Sequence, residues 1–143
     1  MISYYRIPNT KKEVDNEEIM TITEEYELKD AIHNKSILSI KVLILKNCNI
    51  NDETLSLLWT ITHPLQIIEI NLAENFSFIT DAGMDHLCQC QNLSQLKILN
   101  LGDISITDAS IEKMSKTFHF GKIETLILYG NSDITSESLI YLG

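Results

Sequence analysis

One stretch of the sequence decides the fold, and it reads Leu96-Lys97-Ile98-Leu99-Asn100-Leu101-Gly102-Asp103-Ile104-Ser105-Ile106-Thr107-Asp108. It carries the spacing L-x-x-L-x-L, then a turn, then an Ile-Thr-Asp step that is typical of a helix start. The same pattern occurs three more times. The central apolar residues of the four copies lie 27, 29 and 27 positions apart, and they are Leu43, Ile70, Leu99 and Leu126. A period of this size predicts stacked repeats that each contain one strand and one helix.

The repeats define the predicted elements. We expect four parallel strands near residues 42–45, 69–72, 98–101 and 125–128. We also expect helices near residues 23–34, 52–61, 81–91, 108–118 and 135–142, which begin with polar residues that favour helix starts. The apolar residues that these helices direct inward are expected to stack in columns. The first column is Leu28, Leu55, Met84, Ile111 and Leu139, the second is Ala31, Leu58, Leu87, Met114 and Leu142, and the third holds Trp59 and Cys88.

Residues 1–22 do not follow the repeat. The residues around Ile2, Tyr4 and Ile7 have strand-like composition, and Ile19–Ile22 is a second short β-type run. Because the first repeat of a stacked array has an open apolar end, we expect 1–22 to be an N-terminal cap. The alternative is a flexible arm that docks on a partner. Residues 23–143 are then the repeat domain, with one half repeat followed by four repeats.

These lines resemble the leucine-rich repeats of the cysteine-containing and ribonuclease-inhibitor-like classes. Cys or Asn follows the last leucine of three lines by three residues, and Ile79–Met84 reads Ile-Thr-Asp-Ala-Gly-Met. The third line departs with Ile104 at that position, and the second carries the insertion Phe76-Ser77. The resemblance implies an α/β solenoid, with parallel strands on a concave face and helices on a convex face. Family members bind proteins, several inhibit enzymes by covering active sites, and short bacterial effectors delivered into host cells also contain such repeats.

Composition limits the possible functions. The 143-residue chain carries a formal net charge of −9, which disfavours binding to nucleic-acid phosphates. Most of this charge lies in residues 51–143, so the expected partner is a protein with a basic surface, although acidic residues also simply keep a protein soluble. The apolar runs are too short to cross a membrane. Three cysteines without disulfide spacing favour a reducing compartment, so we expect a cytoplasmic location, or a host cytosol if the chain is a delivered effector.

No motif indicates catalysis. We expect no cofactor and no enzyme activity, because nucleophile elbows, phosphate loops and H-E-x-x-H patterns do not occur. His86, Cys88 and Cys90 are close in sequence, but the spacing between the cysteines is wrong for zinc and no second ligand pair follows. We therefore expect no metal. Cys48, Asn75 and Asn131 follow strands, where they are expected to bond to the backbone of neighbouring repeats.

The predicted binding surface is the sheet face that points away from the helices. Alternate strand residues point to that face, and they form a mixed grid of aliphatic, amide and charged side chains with one tyrosine. Such a grid favours protein contact, although β-branched residues there also simply favour strands. The candidate residues are Ile44, Lys46, Glu69, Asn71, Glu74, Ile98, Asn100, Asp103, Ile127 and Tyr129, with Phe76 and Phe78 in the adjacent loop.

Two functions fit this sequence. The first is a module that binds a partner protein, and that inhibits this partner if it is an enzyme whose active site is covered. The second is an architectural subunit of a larger assembly. We also expect an apolar edge at the last repeat to contact a second molecule, because no capping repeat follows it in this sequence. Its expected members are Leu126, Leu128, Ile134, Leu139 and Leu142.

Overall fold

A computed structural model describes residues 18–48 and 50–142 of the chain. Five strands form one parallel sheet, and their order in the sheet is their order in the sequence. The predicted strand around Ile2–Ile7 lies outside the described residues. The strands are β1 (Ile19–Thr21), β2 (Val42–Ile44), β3 (Glu69–Asn71), β4 (Ile98–Asn100) and β5 (Thr125–Ile127).

Helices alternate with the strands, so the fold is α/β. Short 3-10 turns at Ser36–Ser39, Leu57–Thr60, Gln91–Leu93 and Phe118–Phe120 follow the first four helices, and Ser136–Ser138 precedes the fifth. Right-handed crossovers between parallel strands put consecutive helices on one side of the sheet. Accordingly, α2 contacts α3, and α4 contacts both α3 and α5. The helices are α1 (Glu25–His33), α2 (Asp52–Ser56), α3 (Asp81–Gln89), α4 (Asp108–Ser115) and α5 (Leu139–Leu142).

The prediction of four parallel strands is confirmed, and each strand is one residue shorter than expected. The central strand residues pair directly across the sheet, from Met20 through Leu43, Ile70 and Leu99 to Leu126. The last four are at most 2% exposed, because each one packs between the sheet and the helices. The pairing also shows that Ile19–Thr21 is a strand of the same sheet, one position before the first predicted one.

The inward helix columns are confirmed except at their ends. Leu28, Leu55, Met84 and Ile111 are buried, as are their partners in the second column up to Met114. Leu139 is 50% exposed, because no described element packs on the far side of the last helix. The expectation for Trp59 is also wrong. Its ring is 44% exposed and lies edge-on against His86, while its indole nitrogen donates to the His86 carbonyl at 2.6 Å.

Asparagines after the strands bond to neighbouring repeats. The side-chain NH2 of Asn131 donates to the carbonyls of Leu101 and Leu128 at 2.7 and 3.1 Å, and its oxygen accepts from Ile106 N at 3.4 Å. Two repeats earlier, the side-chain NH2 of Asn75 donates in the same way to the carbonyls of Leu45 and Leu72. The side-chain oxygen of Asn75 accepts from Cys48 N at 3.2 Å. Both asparagines are nearly fully buried. These bonds satisfy backbone groups that would otherwise be buried without partners.

Aspartates at the helix starts form a second set of bonds between repeats. The carboxylate of Asp81, the first residue of α3, accepts from the backbone and hydroxyl of Thr107 at 2.9 and 2.7 Å and from the Ser110 hydroxyl. Asp108 bonds in the same way to Thr135 and Ser138. Asp52 begins the series by accepting both donors of Thr80. We call this series the aspartate ladder.

Within the described ranges, no helix is both long and apolar enough to cross a membrane.

Candidate protein-binding surface

The sheet face that points away from the helices carries two rows of side chains, and we call it the outer face. Because all strands are parallel and in register, residues of one row are direct neighbours on adjacent strands. Ten strand positions form the two rows. The first row is Thr21, Ile44, Asn71, Asn100 and Ile127, and the second is Ile19, Val42, Glu69, Ile98 and Thr125.

The apolar part of the outer face is narrower than strand alternation predicts. Ile44, Ile98 and Ile127 are half-buried, so each presents part of its side chain. Val42 and Thr125 are only 6% and 2% exposed, although they lie in the second row. Ile19 of the second row is half-buried as well, so the described part of the outer face offers four separated aliphatic contacts.

Two of the predicted candidates, Asn71 and Asn100, form side-chain hydrogen bonds with the backbone just after their own strands. The Asn71 side-chain oxygen accepts from Ala73 N, and the Asn100 oxygen accepts from Gly102 N, both at 3.0 Å. These bonds hold the two asparagines, direct neighbours in the first row, in matching orientations. Glu69 is half-buried next to them in the second row.

The turn after each of the strands β2 to β5 is left-handed at one position. Asn47, Glu74, Asp103 and Gly130 occupy it, with φ angles of 50°, 65°, 50° and 75°. This backbone conformation is costly for most residues other than glycine, asparagine and aspartate, yet Glu74 occupies one of the four positions. Glu74 forms an ion pair with Lys46 at 3.2 Å. The predicted charged candidates Lys46, Glu74 and Asp103 therefore lie together at the ends of β2, β3 and β4.

Tyr129 extends from the end of β5 across the preceding repeat. A Cβ atom at Gly102 would lie 2.3 Å from Cε1 and Cζ of the Tyr129 ring, so only glycine leaves room for this packing. Burial raises the pKa of the Tyr129 hydroxyl, and the carboxylates of Glu74 and Asp103 raise it further while Lys46 opposes them. The tyrosine is thus a positioned, half-buried ring bordered by charged groups. The sequence indicates Tyr129 as a candidate but not its contact with Gly102, because the two residues lie 27 positions apart in the chain.

The loop after β3, which contains the insertion Phe76-Ser77, exposes two phenylalanines. Phe76 is 63% exposed and Phe78 is 46% exposed, so neither ring packs inside the loop. The backbone between them is held in place, because Ser77 N donates to the Ser105 hydroxyl at 3.1 Å and the Phe78 carbonyl accepts from Asp52 N at 3.1 Å. These bonds therefore fix the backbone of the loop that carries the two exposed rings, at the end of the sheet where the strands finish.

The predicted apolar edge at the last repeat is much smaller than expected. Leu126, Leu128 and Ile134 are at most 2% exposed, so they belong to the core and not to an edge. Leu139 and Ile140 are 50% and 80% exposed and supply most of the apolar surface that remains. The prediction is wrong for these three residues because the rest of their own repeat already covers their side chains.

The cysteines contribute no side chain to the two rows of the outer face. Cys48, Cys88 and Cys90 are free and buried, and burial raises the pKa of each thiol, to about 12 for Cys90. Thiols of this kind are poor nucleophiles at neutral pH, since the thiolate is the reactive form. Among residues 18–48 and 50–142, no three His, Cys, Asp or Glu side chains group as metal ligands would.

No protein-family model matches the sequence, and a comparison with curated proteins finds no match either. The interpretation of function therefore rests on the repeat pattern and on the geometry of the outer face.

Proposed function

We propose that the chain is a leucine-rich-repeat solenoid that binds a partner protein. In this proposal the outer face is the concave surface, and the helices form the convex side. The repeat spacing of 27 to 29 residues and the strand order β1 to β5 support it, since both are expected when each repeat contacts only its neighbours.

The observation that carries the binding function is the arrangement around Tyr129. An aromatic ring is held across Gly102, two residues after the half-buried Ile127 of β5, and charged groups border it. Binding energy at protein interfaces concentrates in aromatic anchors of this kind, surrounded by a polar rim. A ring that is already fixed also loses little conformational entropy when a partner binds.

The charges indicate what the partner presents. The protein carries a net charge of −9, and carboxylates of Glu74 and Asp103 lie beside the aromatic anchor. A basic protein surface is the complement, and opposite charges of this kind increase the association rate more than the affinity. Binding inhibits the partner wherever the contacted surface contains its active site.

The experiment is affinity capture followed by mass spectrometry, with the wild type and a variant of the outer face. The variant combines Tyr129→Ala with Ile44→Asp, and its affinity is expected to fall on the order of tenfold or more. The matched control combines Tyr26→Ala with Gln89→Asp, which makes the same kinds of change on exposed helix residues. The melting temperature of each variant is measured to recognise unfolding.

The captured proteins decide between the two functions. One stoichiometric enzyme supports inhibition, and many co-purifying subunits support an architectural role. If the helix control loses binding while the outer-face variant keeps it, the proposed surface is wrong.

A further inference from the structure

Charge is separated between the two ends of the sheet. At the end where the strands finish and the helices begin, the described turns and the first residues of the helices carry ten carboxylates and one lysine. We call this end the acidic edge. Its charged residues are Glu24, Glu25, Lys46, Asp52, Glu53, Glu74, Asp81, Asp103, Asp108, Asp133 and Glu137.

The opposite end, where the helices finish and the strands begin, has the reverse composition. Its described turns carry five lysines and two carboxylates, and we call it the basic edge. Its charged residues are Glu18, Lys35, Lys41, Lys97, Lys116, Lys122 and Glu124. Because every strand is parallel, these charges do not cancel from one repeat to the next but add along each edge.

Part of the acidic edge has a structural explanation. Asp52, Asp81 and Asp108 form the aspartate ladder, and acids at helix starts also complement the helix dipole. Other carboxylates of the edge lie outside the ladder. Glu53, Asp133 and Glu137 are exposed, and Glu74 and Asp103 are half-exposed in the left-handed turns.

The exposed phenylalanines provide an independent observation at this edge. Phe76 and Phe78 are exposed, and they lie in the loop between Glu74 and Asp81, two carboxylates of the acidic edge. Exposed rings beside acidic groups bind cations through the ring face and aliphatic side chains through area burial. An anionic partner would meet repulsion along the same row.

We propose that the acidic edge, with Phe76 and Phe78 as anchors, docks a segment of the partner protein that alternates basic and aliphatic side chains. The inference rests on the proposed function and adds to it, since it gives the partner an orientation on the module. The basic part of the partner meets the acidic edge, and the adjoining surface covers Tyr129 at the same end of the outer face.

The test is an NMR titration of the full chain, labelled with 15N, with a synthetic peptide of alternating arginine and leucine. Amide shifts are expected at residues 74–78 and at Asp103. In the variant Phe76→Ser with Phe78→Ser, affinity for the peptide is expected to fall on the order of tenfold. In the variant Glu74→Gln with Asp103→Asn, it is expected to fall about fivefold, and added salt should remove that difference.

The matched control is Asp30→Asn with Glu124→Gln, which changes the net charge equally but lies on a helix and on the basic edge. It is expected to bind the peptide within about twofold of the wild type, because distant exposed charges are screened. Shifts confined to the basic edge or to the helices overturn the inference, as does an equal loss in the control.

The two proposals fail separately. If the captured partner needs Tyr129 but binds the Phe76 and Phe78 variant normally, the docking inference is overturned and the proposed function stands. If the peptide binds the acidic edge but the partner ignores changes at Tyr129 and Ile44, the inference stands and the outer face is not the binding surface.

Discussion

Asp81→Ala is expected to lower the stability of the fold by breaking the middle step of the aspartate ladder. The carboxylate accepts from Thr107 N at 2.9 Å, from the Thr107 hydroxyl at 2.7 Å and from the hydroxyl of Ser110. Ser110 is 2% exposed, so water cannot replace the lost acceptor. These bonds connect residues 26 and 29 positions apart, which makes the ladder a link between repeats.

The magnitude follows from these contacts. A buried donor left without a partner costs about 1–3 kcal/mol. The lost charge at the start of α3 adds about 0.3–1 kcal/mol. We expect a total of about 1–4 kcal/mol, which corresponds to a fall in melting temperature of about 4–12 °C for a domain of this size.

The stabilisation depends on pH with a definite sign. Burial alone would raise the pKa of Asp81, but donation from Ser110 and Thr107 outweighs it, and the pKa lies below its usual value. Because its pKa is lower in the folded protein, ionised Asp81 stabilises the fold at a pH above about 3.9, the pKa of this group in the unfolded chain. This contribution is lost as the pH falls from there through the pKa of the folded state. The difference between wild type and Asp81→Ala should therefore be largest near pH 7 and should shrink near pH 3.

The assay is thermal unfolding monitored by circular dichroism, with Asp85→Ala as the matched control on the same helix. Asp85 pairs with Lys113 at 2.8 Å, and both side chains are nearly half exposed, so removal is expected to cost less than about 1 kcal/mol. The double variant with Ser110→Ala should lose less than the sum of the single variants, because the two groups contact each other. Equal stability of Asp81→Ala and Asp85→Ala would refute the reasoning.

Two further predictions concern packing at the far end of the sheet. Gly102→Ala should displace the Tyr129 ring, so NMR titration of labelled tyrosine should show its pKa falling toward the usual value; an unchanged value would mean that the ring does not need the glycine. Leu139→Glu with Ile140→Lys should reduce self-association in light scattering, because these side chains are the exposed apolar groups of the last repeat; a wild type that stays monomeric at high concentration would contradict this.

The strands and helices were predictable because their signals are local. Apolar spacing around Leu43, Ile70, Leu99 and Leu126 located four of the five strands to within a residue. Polar starts such as Thr80 and Thr107 located the helices, and both threonines cap their helices as expected. The repeat pattern does not predict that β1 belongs to the same sheet, because Met20 precedes Leu43 by 23 residues and so departs from the repeat period.

The candidate surface was predictable only in outline. Strand alternation identified its members, but alternation does not specify exposure, as the buried Val42 and Thr125 demonstrate. The inserted phenylalanines were recognised as candidates, yet whether they pack inward or outward depends on bonds to a different repeat, such as that from Ser77 to Ser105.

By itself, the sequence determined the period, the register of the strands and the set of side chains on each face, because hydrophobic spacing along the chain decides these locally. Only the tertiary structure decided what happens between repeats. Tyr129 crosses Gly102, Asp81 holds Thr107, and carboxylates from successive repeats add along one edge. Each of these joins residues about 27 positions apart, and stacking the repeats brings such residues within contact distance.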